Sequence, residues 1–336
     1  MRNRKKNDYL HYIKKNEAVR NPILSFIKSK YFIFIAAGAA VIFTIFFVLN
    51  FRTAKQIQKL IFNEKFDRAI IVARNYLENN KNTDVSRLLG EALFIKTYRI
   101  TNEDEIRQNK EEIKKIFKEL TKNSMENSAV LFMYGFLLVE STEERDFGVD
   151  LLKKALQLNK KDGEIGAYIN RRIIVINGMP FQLVDVYERI AAALYLLKRY
   201  REAIEYYNLS LKTRPKTIHY FFLAMIYKEL NLMDQAVKYV NIVLKTENNK
   251  IVQAKCYLLL AHIEYNRNNM DEAEKIYKKT LEFDSQCADS YYFLGKIYRK
   301  KKNFTLFNLY MRKAAKAGHE QAQKLIPACG LNRHRR

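Results

Sequence analysis

The sequence predicts an all-α chain: a helical-repeat solenoid following a single N-terminal transmembrane helix. Three observations predict it. Tyr31 to Phe51 contains no charged residue, and as a helix that stretch rises about 30 Å, the thickness of a bilayer core. Between Val184 and Gln321 one pattern of small and aromatic residues recurs four times, at intervals of 33 to 37 residues. Ten Gly and four Pro in 336 residues leave little turn chemistry for a β fold and favour long helices with short turns.

The chain opens with a basic N-terminal segment, residues 1–30, where nine Lys/Arg face only Asp8 and Glu17. The transmembrane stretch follows over residues 31–51. A core helix of that length would keep a polar face, yet here Thr44 and Asn50 are the polar positions after Tyr31. The apolar run exceeds a signal-peptide core, and its exit, Leu49-Asn50-Phe51-Arg52, offers no small-x-small cleavage site. No cysteine follows that would make a lipoprotein, so the stretch reads as an uncleaved anchor. Ala36-Ala37-Gly38-Ala39-Ala40 suits the close approach of a second membrane helix, and equally plain contact with lipid. Basic residues are balanced beside the span, with Lys14, Lys15, Arg20, Lys28 and Lys30 before it and Arg52, Lys55, Lys59, Lys65 and Arg68 after it. Arg2, Arg4, Lys5 and Lys6 tip the expectation to a cytoplasmic N-terminus. That implies a single-pass protein of the inner (cytoplasmic) membrane with its repeats in the periplasm.

Residues 52–183 read as degenerate helical repeats. Asn63 to Ala69 has the form of a turn and second helix, its first helix being Thr53 to Leu60, continuous with the anchor. Leu89-Gly90 with Leu93 fits a further first helix and Glu111 to Leu120 its partner, after a charged connection at Thr101–Lys110. Tyr134-Gly135 and Leu138, then Leu151-Leu152 and Ala155-Leu156, form a clearer pair. Asp162 to Pro180, with Gly163, Gly166, Gly178 and Pro180, reads as an extra helix and a joint.

Residues 184–326 hold the four regular units, and residues 327–336 a basic C-terminal tail. Ala203, Ala236, Ala273 and Phe307 anchor the units. Sixteen residues before each stand Tyr187, Tyr220, Tyr257 and Tyr291; thirteen before, Ile190, Leu223, Leu260 and Leu294; twelve before, the small residues Ala191, Ala224, Ala261 and Gly295. Antiparallel helices cross closely only where side chains are small, which is the role read for Ala224 and Ala236. Arg214-Pro215 stops the first unit. Phe307 departs from the rule, so the last crossing is expected to differ.

A period near 34 with this code resembles the tetratricopeptide repeat (TPR), a helix–turn–helix unit that stacks into a solenoid. The array would hold about six or seven units. Ala314 to Ala322 resembles the turn of the related Sel1-type repeat. The resemblance implies a concave binding face lined by first-helix residues: Glu188, Ala192 and Tyr195; Phe221, Met225 and Lys228; Leu258, His262 and Tyr265; Tyr292, Lys296 and Arg299. Glu188 stands where a chaperone-tail receptor of this family would carry its first clamp lysine, which disfavours that activity. The groove reads as aromatic and apolar, turning basic toward Lys296, Arg299, Lys300, Lys301 and Lys302. Such a face suits an acidic or amphipathic segment of another protein; were the convex side with Lys238 and Lys275 the binding surface instead, side-by-side packing in a homo-oligomeric ring or sheath would follow.

The formal net charge of +24 admits nucleic acid, anionic lipid or acidic protein as partners. No recognisable nucleic-acid motif accompanies it, so no specific nucleic acid is expected. Cys256, Cys287 and Cys329 form no disulfide framework, and the five histidines, including His219, His262 and His319, have no ligand spacing. Phosphate loops, zinc-protease pairs and nucleophile–base sets are missing. Glu143-Glu144 and Asp271-Glu272 sit where acids favour helix N-termini. The expectation is therefore no cofactor, no metal, no catalysis, and a scaffold in a bacterial envelope assembly. Within that class the chain resembles the TPR collar proteins of spirochaete periplasmic flagella and, equally, the single-span TPR subunit of bacterial protein export with its periplasmic chaperones. An organelle-type TPR import receptor with cytosolic repeats would need the opposite orientation.

Overall fold

A computed structural model describes residues 30–122, 127–170, 174–176, 179–180 and 182–325. The basic segment before the span and the basic tail lie outside the described residues. Helix α1 (Lys30–Phe62) is continuous for 33 residues, about 50 Å. Within it, residues 37–62 are long and apolar enough to cross a membrane, by length and composition. Ile42 and Phe43 are 70% and 71% exposed, and Val41, Ile45, Leu49 and Phe51 are exposed with them. Past Phe51 the same helix becomes amphipathic: Ile57 and Ile61, one turn apart, are fully buried. The segment from Thr53 to Leu60 thus continues the apolar helix, as its pattern predicts.

The described chain divides into two compact units. The first comprises residues up to Tyr134 together with Ala167–Pro180. It packs α1 with α2 (Phe66–Leu77), α3 (Thr83–Thr97), α4 (Glu103–Lys122) and the start of α5 (Ser128–Leu138). A Cβ on Gly90 would come within 2.6 Å of the Phe117 ring, so the Leu89-Gly90 reading marks the α3–α4 crossing. The charged stretch at Thr101–Lys110 is not a connection: α4 begins at Glu103. Asn102 caps it, its Oδ1 accepting the Glu105 N–H at 2.9 Å, and Glu103, Asp104 and Glu105 lie against the positive end of the helix. Charge made this first turn look like a loop. Inside the unit, the carboxylate of fully buried Glu91 takes Arg87 Nη1 at 2.6 Å and the Tyr168 hydroxyl.

The second unit comprises Gly135–Gly166 and the chain from Phe181 onward. Its first pair is the end of α5 with α6 (Arg145–Asp162). Gly135 and Gly148 meet there: a Cβ on Gly135 would lie 2.8 Å from the Gly148 carbonyl oxygen. Gly163 (φ 67°) ends α6 and α7 (Glu164–Asn170) follows. A two-residue antiparallel pairing, β1 (Val175–Ile176) with β2 (Met179–Pro180), belongs to the first unit.

The helical hairpins then succeed one another: α8 (Leu183–Leu196) with α9 (Tyr200–Thr213), α10 (Thr217–Glu229) with α11 (Met233–Thr246), α12 (Lys250–Asn266) with α13 (Met270–Phe283), and α14 (Ala288–Lys300) with α15 (Phe304–Lys316). A short α16 (Glu320–Leu325) covers the end. Ala203, Ala236 and Ala273 are fully buried, as are Ala191, Ala224, Ala261, Ile190, Leu223 and Leu294. Leu260 is half-buried and Leu259 beside it goes into the core.

Each hairpin turns in the same way. Lys198 (φ 59°), Asn231 (59°), Asn268 (64°) and Lys302 (58°) are left-handed, each five residues before its anchor, and Glu64 (58°) stands so before Ala69. The N–H of the residue immediately after each reaches back to the first helix: Arg199 to Leu194, Leu232 to Tyr227, Asn269 to Glu264, Asn303 to Tyr298 and Lys65 to Leu60, at 2.8–2.9 Å. This is a left-handed helix cap carried by residues other than glycine. In the last hairpin the close approach moves to Gly295, where a Cβ would meet Met311 at 2.8 Å. Phe307 is left half-buried against Met311, Ala314 and Ala322.

Candidate protein-binding face

The first helices α8, α10, α12 and α14 carry the residues expected to line a groove, at the i, i+4 and i+7 positions of one helix face. On α8, Glu188 takes Lys216 Nζ at 2.7 Å, with Arg214 at 3.4 Å and His219 Nε2 at 3.2 Å. Asp185 pairs with Arg214 as well. Burial alone would push the Glu188 carboxyl up, but His219 and Lys216 outweigh it and hold the pKa at about 2. His219 is itself buried. Ala192 is half-buried nearby in the sequence of the face. Charge at this end is matched inside the fold.

The middle is apolar. Tyr195 meets Tyr200 and Phe222 at ring distances of 6.0 and 6.2 Å. Phe221 and Met225 pack on the cluster of Ala224, Ala236, Val240 and Cys256, and Leu258 on that of Ala273 and Tyr277. Lys228 turns to its neighbour Glu229 at 2.8 Å. Tyr195, Phe221, Met225, Leu258 and Tyr265 are all half-buried.

At the far end His262 lies 4.7 Å from the Phe293 ring and edge-on to Tyr277 at 5.6 Å. Burial pulls its pKa down to about 4, so it is neutral near pH 7. Tyr265 meets Phe293 at 5.0 Å, and Tyr292 stacks on His319 at 3.9 Å. Lys296 Nζ stands over three rings, Phe293 at 5.1 Å, Tyr265 at 5.4 Å and Tyr292 at 5.6 Å. Lys300 Nζ is 5.1 Å from the Tyr265 ring, and Arg299 6.0 Å from Phe307. Tyr265, Lys296, Arg299 and Lys300 line a cleft of about 330 Å³. Among the described residues none of these three cations has a carboxylate within ion-pair distance. Lys301 departs from the basic run: it pairs with Asp271 at 2.5 Å and Glu274 at 2.8 Å. Lys302 is taken up by the left-handed turn.

Two aromatic residues beside the expected positions do much of the packing. Tyr207 stacks on Phe222, and Tyr277 on Phe293, both at 5.5 Å with the planes 10° apart. The signal was present in the sequence as an aromatic directly after Phe221 and after Tyr292. Cys256 is buried, its thiol pushed up to about 12 by that burial. Among the described residues no three His, Cys, Asp or Glu side chains converge as metal ligands.

A family model described as the tetratricopeptide repeat matches residues 184–217, 220–249, 254–287 and 288–317. No curated protein matches the chain in sequence. Among solved structures, the apo form of the quorum sensor NprR from B. thuringiensis is similar at 14% identity and TM-score 0.52, over 81% of this chain and 77% of that one. The C-terminal part of a TPR repeat-containing protein from Cytophaga hutchinsonii is similar at 12% identity and TM-score 0.51, over 81% of this chain and 98% of that one. YrrB, described as a TPR protein with an unusual peptide-binding site, aligns at 17% identity and TM-score 0.41, over 62% and 96% of the two chains. At such identities the first two likenesses speak for the fold.

Proposed function

From the premise that residues 184–317 are tetratricopeptide repeats, we propose that this chain is a non-enzymatic, membrane-anchored adaptor whose repeats hold an acidic or amphipathic segment of another protein. The observation that carries this is the cleft at Tyr265, Lys296, Arg299 and Lys300. Its cations have aromatic neighbours and no carboxylate, so an incoming carboxylate would gain charge-assisted hydrogen bonds without breaking an existing ion pair. Tyr195, Phe221, Met225, Lys228, Leu258, His262 and Tyr292 continue the face and would take the apolar side of the bound segment.

In this reading α1 is the anchor, with the N-terminus cytoplasmic and the repeats periplasmic. The assembly served is an envelope machine of the flagellar-collar or protein-export kind, the last unit being Sel1-like. The test is affinity recovery of partners from detergent-solubilised native membranes, with lysine cross-links mapped by mass spectrometry. Cross-links from Lys296 and Lys300 to an acidic partner segment support the reading. Links confined to Lys238 and Lys275, on the second helices, would replace it with side-by-side packing in a larger ring.

Orientation is read separately, with a cysteine at Asn248 in a cysteine-free background. Asn248 is exposed between α11 and α12. Labelling that requires rupture of the inner membrane would reverse the orientation and favour cytosolic repeats of the import-receptor kind.

A further inference from the structure

We propose that α1, where it leaves its apolar stretch, is a docking surface for anionic lipid headgroups, formed by Arg52, Lys55 and Lys59. The proposal rests on the reading of α1 as a membrane span. These residues are spaced i, i+3 and i+7, so they share one helix face, and all three are exposed. The buried pair Ile57 and Ile61 occupies the opposite face, so packing of the first unit turns the cations outward.

Their charge is unmatched within the fold. The acids that follow are already engaged, Glu64 with Arg99 at 2.9 Å and Asp67 with Lys96 at 2.7 Å. Among the described residues, Arg52, Lys55 and Lys59 have no carboxylate partner. Like charges at this spacing repel, and an anionic surface relieves that repulsion. Position then selects the kind of surface. The exposed apolar side chains end at Phe51, and a helix rises about 1.5 Å per residue. With α1 upright, Arg52 and Lys55 stand within about 6 Å of Phe51, inside an interfacial layer roughly 5–7 Å deep. Lys59 follows at about 12 Å, within one Debye length, about 8 Å, of the edge of that layer. Lys55 Nζ also lies 5.9 Å from the Phe51 ring, keeping its stem along the apolar end of the helix.

The test uses the full chain in vesicles of phosphatidylcholine mixed with phosphatidylglycerol. Spin-labelled phosphatidylglycerol and phosphatidylcholine report, from their motionally restricted fractions, which lipid the protein retains. Arg52→Gln, Lys55→Gln and Lys59→Gln combined should lower the preference for phosphatidylglycerol at least threefold, since a charge at the surface contributes roughly fivefold in association. The basic segment before the span contributes equally to both proteins. Lys65→Gln with Arg68→Gln removes exposed charge beyond the end of α1 and should leave the preference unchanged. An unchanged triple variant, or an equal loss in the control, overturns headgroup docking. Release of the wild-type chain from vesicles by alkaline carbonate would instead overturn the membrane span, a different failure with a different readout. Circular dichroism of each variant confirms that the fold is kept.

Discussion

The first and last hairpins of the repeat array present equivalent helix positions, and they treat charge in opposite ways. On α8, Glu188 is held between Lys216, Arg214 and His219. On α14, Lys296 and Arg299 occupy the later positions of the same pattern, with Lys300 beside them, facing rings and open space. A repeat therefore fixes where a side chain points but not whether it is free to bind. That is decided by what the neighbouring hairpin offers: Lys216 and His219 of α10 close one end, while α15 and α16 bring no carboxylate to the cleft at the other.

All four hairpins share one register, and a substitution at a helix crossing breaks it most strongly. Ala236→Leu should overpack the α10–α11 crossing and destabilise the protein by about 1–3 kcal/mol, because Ala236 is fully buried. Lys238→Leu, on an exposed position of the same helix, should stay within about 0.5 kcal/mol. Chemical denaturation of the two variants checks this; equal midpoints would mean the register is wrong.

Acid separates buried His262 from the paired carboxylates. His262 has its folded pKa at about 4, below its ordinary 6.5. Between these values the unfolded chain binds more protons, so stability falls as pH drops from about 6.5 toward 4. The loss should reach about 3 kcal/mol and vanish in His262→Phe, which keeps the ring packing on Phe293 and Tyr277. Glu188 is held at about 2, as are Glu202 and Glu274. Their stabilisation is present above about pH 4.5 and is lost as pH falls toward 2, so this second decline should survive in His262→Phe. Urea melts over the pH series measure both; a single decline common to both proteins would show that His262 is not buried neutral.

A smaller effect concerns the turns that set the pattern in both ends. Lys302→Gly should stabilise by about 1 kcal/mol, since a left-handed conformation disfavours a residue with a Cβ. Asn231→Gly should gain less, asparagine tolerating that region better. Thermal melts of the paired variants decide it, and no gain in either would argue against left-handed turns.

The register was legible because Ala203, Ala224, Ala236 and Ala261 are small for a reason that sequence displays directly: two backbones cross there. Gly90 and Gly135 were legible in the same way. The turns were not, because their left-handed position holds Lys198, Asn231, Asn268 and Lys302, where glycine would have given a signal. Thr101–Lys110 has the composition of a loop although the helix starts at Glu103, because a solvated, well-capped helix start is as charged as a connection. In the candidate site, the face residues are those the tetratricopeptide resemblance implies, and ion pairing among them has no sequence signal. Lys300 and Lys301 are sequence neighbours of identical chemistry, yet only Lys301 finds Asp271 and Glu274, from a helix about thirty residues earlier. Phe222 and Phe293 each stand fourteen residues before an anchor, a recurrence whose physical reason is stacking on Tyr207 and Tyr277.

The most direct test of the open end is the affinity of the recovered partner's acidic segment for the full chain in detergent, measured by fluorescence anisotropy. Lys296→Glu with Lys300→Glu should weaken binding by about tenfold or more at low salt, and raising the salt should shrink the difference. Lys238→Glu with Lys275→Glu, the same charge change on the second helices, should leave the affinity within about twofold. Loss of binding in the second pair, with the first pair binding as tightly as the unaltered protein, would mean that the cleft is not the binding site.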